Sequence, residues 1–199
     1  MQDVEHLVEL GLPDMAGVTA ERFRELAPSG PGVLVVSATF IAPSRLAPLL
    51  LHGGKPGFVV EDLTDLEDFV PLSSVEVPEA PMYRITGLDR GDDLRNWSPD
   101  ESLPELISRG RSPLTISEGI SWLLADPAVL QPNHCFMCIG SRKQKGKKLD
   151  ARTPALWISG GTGRDGRERK GAVKVGWCWA GNQHTWLGFA STTGRRSAH

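Results

Sequence analysis

At His134 the sequence changes its grammar, and that change restricts the possible folds more than any single motif. From there on, HCFMCIG (134–140), ALWIS (155–159), AVKVGWCWA (172–180) and HTWLGFA (184–190) are short, β-prone and separated by glycine and charged loops. Such punctuation predicts an antiparallel meander. Upstream the apolar residues fall into helical spacings and isolated short strands. The expectation is an α+β fold, with helices and short strands in the N-terminal two-thirds and an antiparallel β meander in the C-terminal third. No repeat and no long linker interrupts the 199 residues, a length one domain can hold, so a single domain over 1–199 is expected.

The helix starts have local physical causes. Val4, Leu7, Val8 and Leu10 mark a first helix stopped by Gly11 and Pro13, and Thr19 can cap the amides of AERFREL. Three S/T-x-x-E pairs, Thr64 with Glu67, Ser98 with Glu101 and Thr115 with Glu118, predict capping boxes, in which hydroxyl and carboxylate each satisfy an orphan amide at the other's position. Pro99 suits the first position of the second of these helices. VLVVS (33–37), the FVV that follows the glycine-rich turn HGGKPG (52–57), and MYRITGL (82–88) read as strands.

Charge is unevenly spread. Residues 1–100 carry seven basic and seventeen acidic side chains, a net of −10, and residues 101–199 carry fifteen and seven, a net of +8. The positive charge concentrates in the loops 142–152 and 163–171. Either the two halves attract each other within one fold, or the loops are solvated, or they meet an anionic partner such as nucleic acid. A pI near 6.2 and the lack of RNA-binding signatures weigh against a dedicated nucleic-acid binder. Cys135, Cys138 and Cys178 are an odd count, too few for a disulfide framework. With no signal-peptide pattern at the start and no apolar run of about 18 residues, the expectation is a cytoplasmic chain with free thiols and no membrane contact.

GWCWAGNQHTWLG (176–188) gathers three of the six tryptophans. With Gly181-Asn182 as a two-residue turn, a hairpin would place Trp179 opposite His184, Cys178 opposite Thr185 and Trp177 opposite Trp186. Trp177, Trp179, His184 and Trp186 would then share one face, and Cys178 would lie on the other. That face, with Asn182 and Arg142 nearby, is the candidate ligand- or partner-binding surface, suited to an anionic or aromatic ligand. A competing reading makes it core under the helices.

Other chemistries meet obstacles. In HCFMCIG, strand alternation separates Cys135 from Cys138, so the pair cannot converge on one zinc ion, and no metal is expected. A Cys–His nucleophile, Cys135 or Cys178 with His134 or His184, remains an alternative for acyl or thiol chemistry, although no local signature supports it. Gly161, Gly163 and Gly166 match GxGxxG, but the segment leads into a strand instead of opening a helix; no cofactor is expected. GGKPG beside Lys55 could form an anion nest, and Asp89, Asp92 and Asp93 could hold a hard cation; a plain turn explains both.

RGRSPLTISEGISWLL, NHCFMCIGSR, PALWISGG and GWCWAGNQHTWLG, in that order with GGKPGFV upstream, resemble an uncharacterised family of small actinobacterial proteins. The resemblance spans most of the chain and implies no activity.

Overall fold

The computed structural model describes residues 4–197. Six helices, α1 (Val4–Glu9), α2 (Leu12–Ala16), α3 (Ala20–Leu26), α4 (Pro43–Leu46), α5 (Pro99–Ser108) and α6 (Ile116–Ala125), accompany two principal sheets. Strands β1 (Val33–Val36), β3 (Met82–Thr86) and β8 (Gly194–Arg196) form a three-stranded antiparallel sheet in the order β1-β3-β8. The larger sheet has the order β7-β4-β5-β6-β2, built from β2 (Phe58–Val59), β4 (Cys135–Met137), β5 (Arg152–Ile158), β6 (Val173–Trp179) and β7 (Leu187–Phe189). The fold is α+β, as the sequence predicts.

α6 lies between the sheets, and its sequence explains why it can. From Ile116 to Leu124 every residue is buried, as suits a helix apolar on nearly all sides. Two small residues, about 200° apart on the helix surface, let it approach both layers. Ser121 accepts a hydrogen bond from the Val36 amide of β1 at 3.2 Å, while Gly119 faces the larger sheet, where a Cβ would come within 2.4 Å of the Cys138 sulfur and 2.9 Å of Leu156. Trp122 packs against Phe136 at 5.4 Å between ring centroids.

Two of the three predicted capping boxes form. Ser98 and Thr115 accept from the amides of Glu101 and Glu118, whose carboxylates reach back to the cap amides. The third does not: Leu66–Asp68 is a single 3₁₀ turn with no side-chain cap, and Glu67 accepts from the Ser44 amide instead. The Thr19 cap is present, and Pro13, expected to end the first helix, sits in the opening turn of α2.

Three strands of the C-terminal meander, β4, β5 and β6, run antiparallel in succession. The fourth segment departs from the expectation. β7 crosses to the far edge and pairs in parallel with β4, Leu187 opposite Cys135 and Phe189 opposite Met137. The 176–188 hairpin is therefore not formed, and β5 and β4 stand between its intended partners. The turn shows why. A hairpin of the favoured type needs positive φ at both central residues, and neither Gly181 nor Asn182 is among the positive-φ positions. Instead Ala180 continues the β5–β6 ladder by donating to the Ala151 carbonyl, and Asn182 closes an ordinary turn onto Trp179. The chain is then drawn across the end of the sheet toward α5. There the Asn96 amide donates to the His184 carbonyl at 2.9 Å and Gln183 donates to Glu101 at 3.2 Å.

Part of the charge split is resolved inside the molecule. Arg152 forks onto both oxygens of Asp65 at 2.9 and 2.6 Å and also binds Asp150, Lys143 bridges Asp65 and Asp68, and Arg164 reaches Asp62. The basic loops thus meet acids of the first hundred residues. LDRGDD is likewise engaged, Asp92 by Arg90 and Arg95 and Asp93 by Arg109. Lys55 donates to the carbonyls of Glu168 and Lys170.

Candidate functional site

Without the hairpin, the tryptophan block divides in two. Trp177 and Trp179 form an edge-to-face pair at 4.5 Å, with the Trp177 indole N–H donating to Asp62 and Trp179 47% exposed. Trp186 belongs to a second group, packed against His184 at 5.6 Å and against Trp157, which the sequence reading left aside, at 6.1 Å. Partial burial lowers the His184 pKa, because removal from water disfavours the imidazolium. Asn182 is exposed on the turn. Arg142 is only 7% exposed; it donates to the Asp150 carbonyl and approaches Asp100, so its charge is taken up inside the protein.

The thiols sit in surroundings that suppress their reactivity. Burial raises Cys178 to about 12 and Cys135 to about 11, and pushes Cys138 well above the usual thiol range. Cys138 lies against Gly119 of α6, whereas the Cys135 thiol points toward the Gln131 carbonyl. The His134 ring meets Arg95 at 3.4 Å. Among the described residues, no group of three or more His, Cys, Asp or Glu side chains is placed to hold a metal ion, and no helix is long and apolar enough to cross a membrane.

A concavity with apolar walls lies elsewhere. A cavity of about 510 Å³ opens between the end of β1, the segment 69–81 and the N-terminus of α6. Its walls are Phe40, Phe69, Pro71 and the run Val77 to Pro81, and its floor is lined by the hydroxyl-bearing residues Ser37, Thr39, Tyr83, Thr115, Ser117 and Ser141. Apolar walls with a few convergent polar groups are the usual composition of a small-molecule site. Local structure places each hydroxyl. Ser37 and Ser141 follow the apolar runs VLVV and CFMCIG, and Thr115 and Ser117 occupy the cap and first turn of α6.

Two hydroxyls are committed to backbone: Ser141 accepts from the Ile116 amide at 3.0 Å and Thr115 from the Glu118 amide at 3.3 Å. Ser37 and Thr39 share one hydrogen bond. Ser117 is 4% exposed, and among the described residues its hydroxyl has no hydrogen-bond partner.

Behind this floor lies a buried ionic cluster. Glu118, 0% exposed, accepts from Tyr83 at 3.0 Å, from the Thr115 amide at 2.7 Å, and from Arg195 through two bonds of 2.6 and 2.8 Å. Burial, with the adjacent Glu118 charge, pushes the Tyr83 phenol far above its ordinary range. Tyr83 is therefore a fixed neutral donor, aimed by a carboxylate that Arg195 neutralises. Arg195 arrives on β8, so the last strand completes the support of the cavity floor.

A family model described as a family of unknown function (DUF5701) matches residues 6–198. The chain belongs to that family. The match takes in both sheets, the cavity and the Glu118–Arg195 cluster. No curated protein and no solved structure matches the chain.

None of the residues first singled out for binding lines this cavity. Its floor comes from segments around positions 37, 83, 117 and 141, far apart in sequence. One cue was available: Tyr83 is the only tyrosine of the chain, inside a strand whose other members are Met82, Arg84, Ile85 and Thr86.

Proposed function

We propose that this protein binds a small organic molecule in the cavity between β1, the 69–81 segment and α6. The observation that carries the reading is an apolar enclosure of about 510 Å³ over a floor of six hydroxyl-bearing side chains. That volume lies within the range of small-molecule sites, roughly 300 to 1,000 Å³. The earlier expectation of ligand binding is kept, with its location moved away from the divided tryptophan block. The Cys–His alternative draws no support from thiols held above neutrality. The nucleic-acid reading loses Arg142, Lys143, Arg152 and Arg164, which are taken up by the protein's own groups, and is left with the exposed Lys145, Lys147 and Lys148. Free thiols favour a reducing, cytoplasmic setting.

The test is a fragment screen by ligand-observed NMR on the full chain and on an Ala80→Trp variant, in which an indole would occupy the cavity mouth. Saturable binders that compete with one another and are lost in the variant are expected. If the screen yields no saturable binder, or if binders are indifferent to Ala80→Trp, the proposal is wrong.

A further inference from the structure

We infer that the cavity selects a monocarboxylate with an apolar body, and that the carboxylate docks at the N-terminus of α6; this rests on the ligand-binding reading above. α6 has ten residues, and its first turn opens at the cavity floor through Thr115 and Ser117. The N-terminal end of a helix carries partial positive charge; at α6 the Thr115, Ile116 and Glu118 amides are already taken by Glu118, Ser141 and Thr115, which leaves the Ser117 amide.

The floor adds hydrogen-bond donors to that field. Ser141 accepts an amide N–H, which leaves its hydroxyl hydrogen to point elsewhere, whereas the Thr115 hydroxyl is shared between the Glu118 amide and Tyr83. Ser37 and Thr39 satisfy only one hydrogen between them. The Ser117 side chain is nine-tenths buried and lines the cavity; among the described residues its hydroxyl has no protein partner, and it keeps contact with the cavity space instead of being sealed in the core. An ionised carboxylate is an acceptor with two oxygens and about four lone-pair directions, and can take several such donors at once. A primary amide would bring two donors of its own, and an alcohol would offer a single oxygen.

Charge decides between one negative charge and more. Among the described residues no lysine or arginine lines the cavity, so a dianionic phosphate would lack a counter-ion, while the helix terminus suits a single charge. The carboxylate behind the floor, Glu118, is already matched by Arg195. Glu79 stands at the exposed rim, where solvent and salt screen it. The walls from Val77 to Pro81, with Phe40 and Phe69, would take an alkyl or aryl body.

The experiment is isothermal titration of octanoate, octanamide and octan-1-ol into the full chain at pH 7.5, repeated with Ser117→Ala. Octanoate is expected to bind roughly tenfold or more tightly than the other two, since hydrogen bonds to a charged group exceed neutral ones. Ser117→Ala should remove most of that preference and leave the thermal unfolding midpoint unchanged, because its hydroxyl bonds nothing in the protein. Equal affinity for amide or alcohol would overturn the carboxylate assignment while leaving the cavity reading intact. Octanoate binding indifferent to Ser117→Ala would overturn docking at α6. If none of the three binds while other fragments of the broader screen still do, the carboxylate inference alone falls; if those fail too, both readings fall.

Discussion

Replacing Arg195 with methionine keeps much of the side chain's apolar bulk and deletes its charge. Four hydrogen bonds disappear: two to Glu118, at 2.6 and 2.8 Å, one to the Ser112 hydroxyl at 2.6 Å and one to the Pro113 carbonyl at 2.9 Å. Charged bonds are worth about 1.5–3 kcal/mol each, but these share one guanidinium and do not add. The dominant cost is electrostatic. Glu118 has no exposure to water, so removing its counter-ion leaves a buried carboxylate held only by Tyr83 and the Thr115 amide. Breaking a buried pair from one side costs about 3–5 kcal/mol, and the two remaining bonds set the expectation toward the lower half of that range. Urea unfolding followed by tryptophan fluorescence at pH 7.5 measures the loss. A companion variant, Arg195→Met with Glu118→Leu, removes both charges and should be more stable than the single change. A single-variant loss under about 1 kcal/mol, well below the buried-pair range, would refute the reasoning, as would a double variant less stable than the single.

Further consequences can be checked in the same way. Gly119→Ala should gain about 1 kcal/mol in helix propensity, but its Cβ would meet the Cys138 sulfur at 2.4 Å; the net outcome is destabilisation of about 1–3 kcal/mol, relieved when Cys138→Ala is added and disproved by a neutral single variant. Hydrogen bonds from Arg152 hold Asp150 at about 2, below its ordinary 3.8. A depressed carboxylate stabilises the fold above its unfolded pKa and loses that contribution as pH falls through the folded value. Unfolding midpoints should therefore drop between about pH 4 and 2, and Asp150→Asn should flatten that acid limb; an unchanged limb would exclude the assignment. All three thiols should be alkylated slowly by iodoacetamide at pH 7.5, with Cys135 and Cys178 accelerating toward pH 11 to 12; one fast thiol at neutral pH would revive the cysteine-enzyme alternative.

What could be read in the sequence was whatever neighbouring residues settle among themselves. The caps at Thr19, Ser98 and Thr115 depend on groups three positions apart, and all three form. The third predicted box failed because Asp65 and Glu67 found long-range partners, Arg152 and the Ser44 amide, that outcompeted a short local turn. Strand content in the last third was legible from β-prone runs, and three of the four strands pair in chain order. The fourth was misplaced because a two-residue turn fixes a hairpin only when the backbone adopts positive φ, and tertiary contacts at Asn96 and Glu101 drew residues 180–186 another way.

The sequence by itself determined the α+β character, the capped helix starts at Thr19, Ser98 and Thr115 and the opposite charges of the two halves, since each follows from local periodicity, short-range hydrogen bonding or composition. Tertiary structure alone decided where the cavity lies. Ser37, Tyr83, Ser117 and Ser141 acquire a common purpose only when α6 is buried between two sheets, and Arg195 joins them because the last strand returns to the first sheet. The physical reason is that a cavity floor is a meeting of side chains from distant segments, and local sequence preferences carry no record of which distant segments will meet.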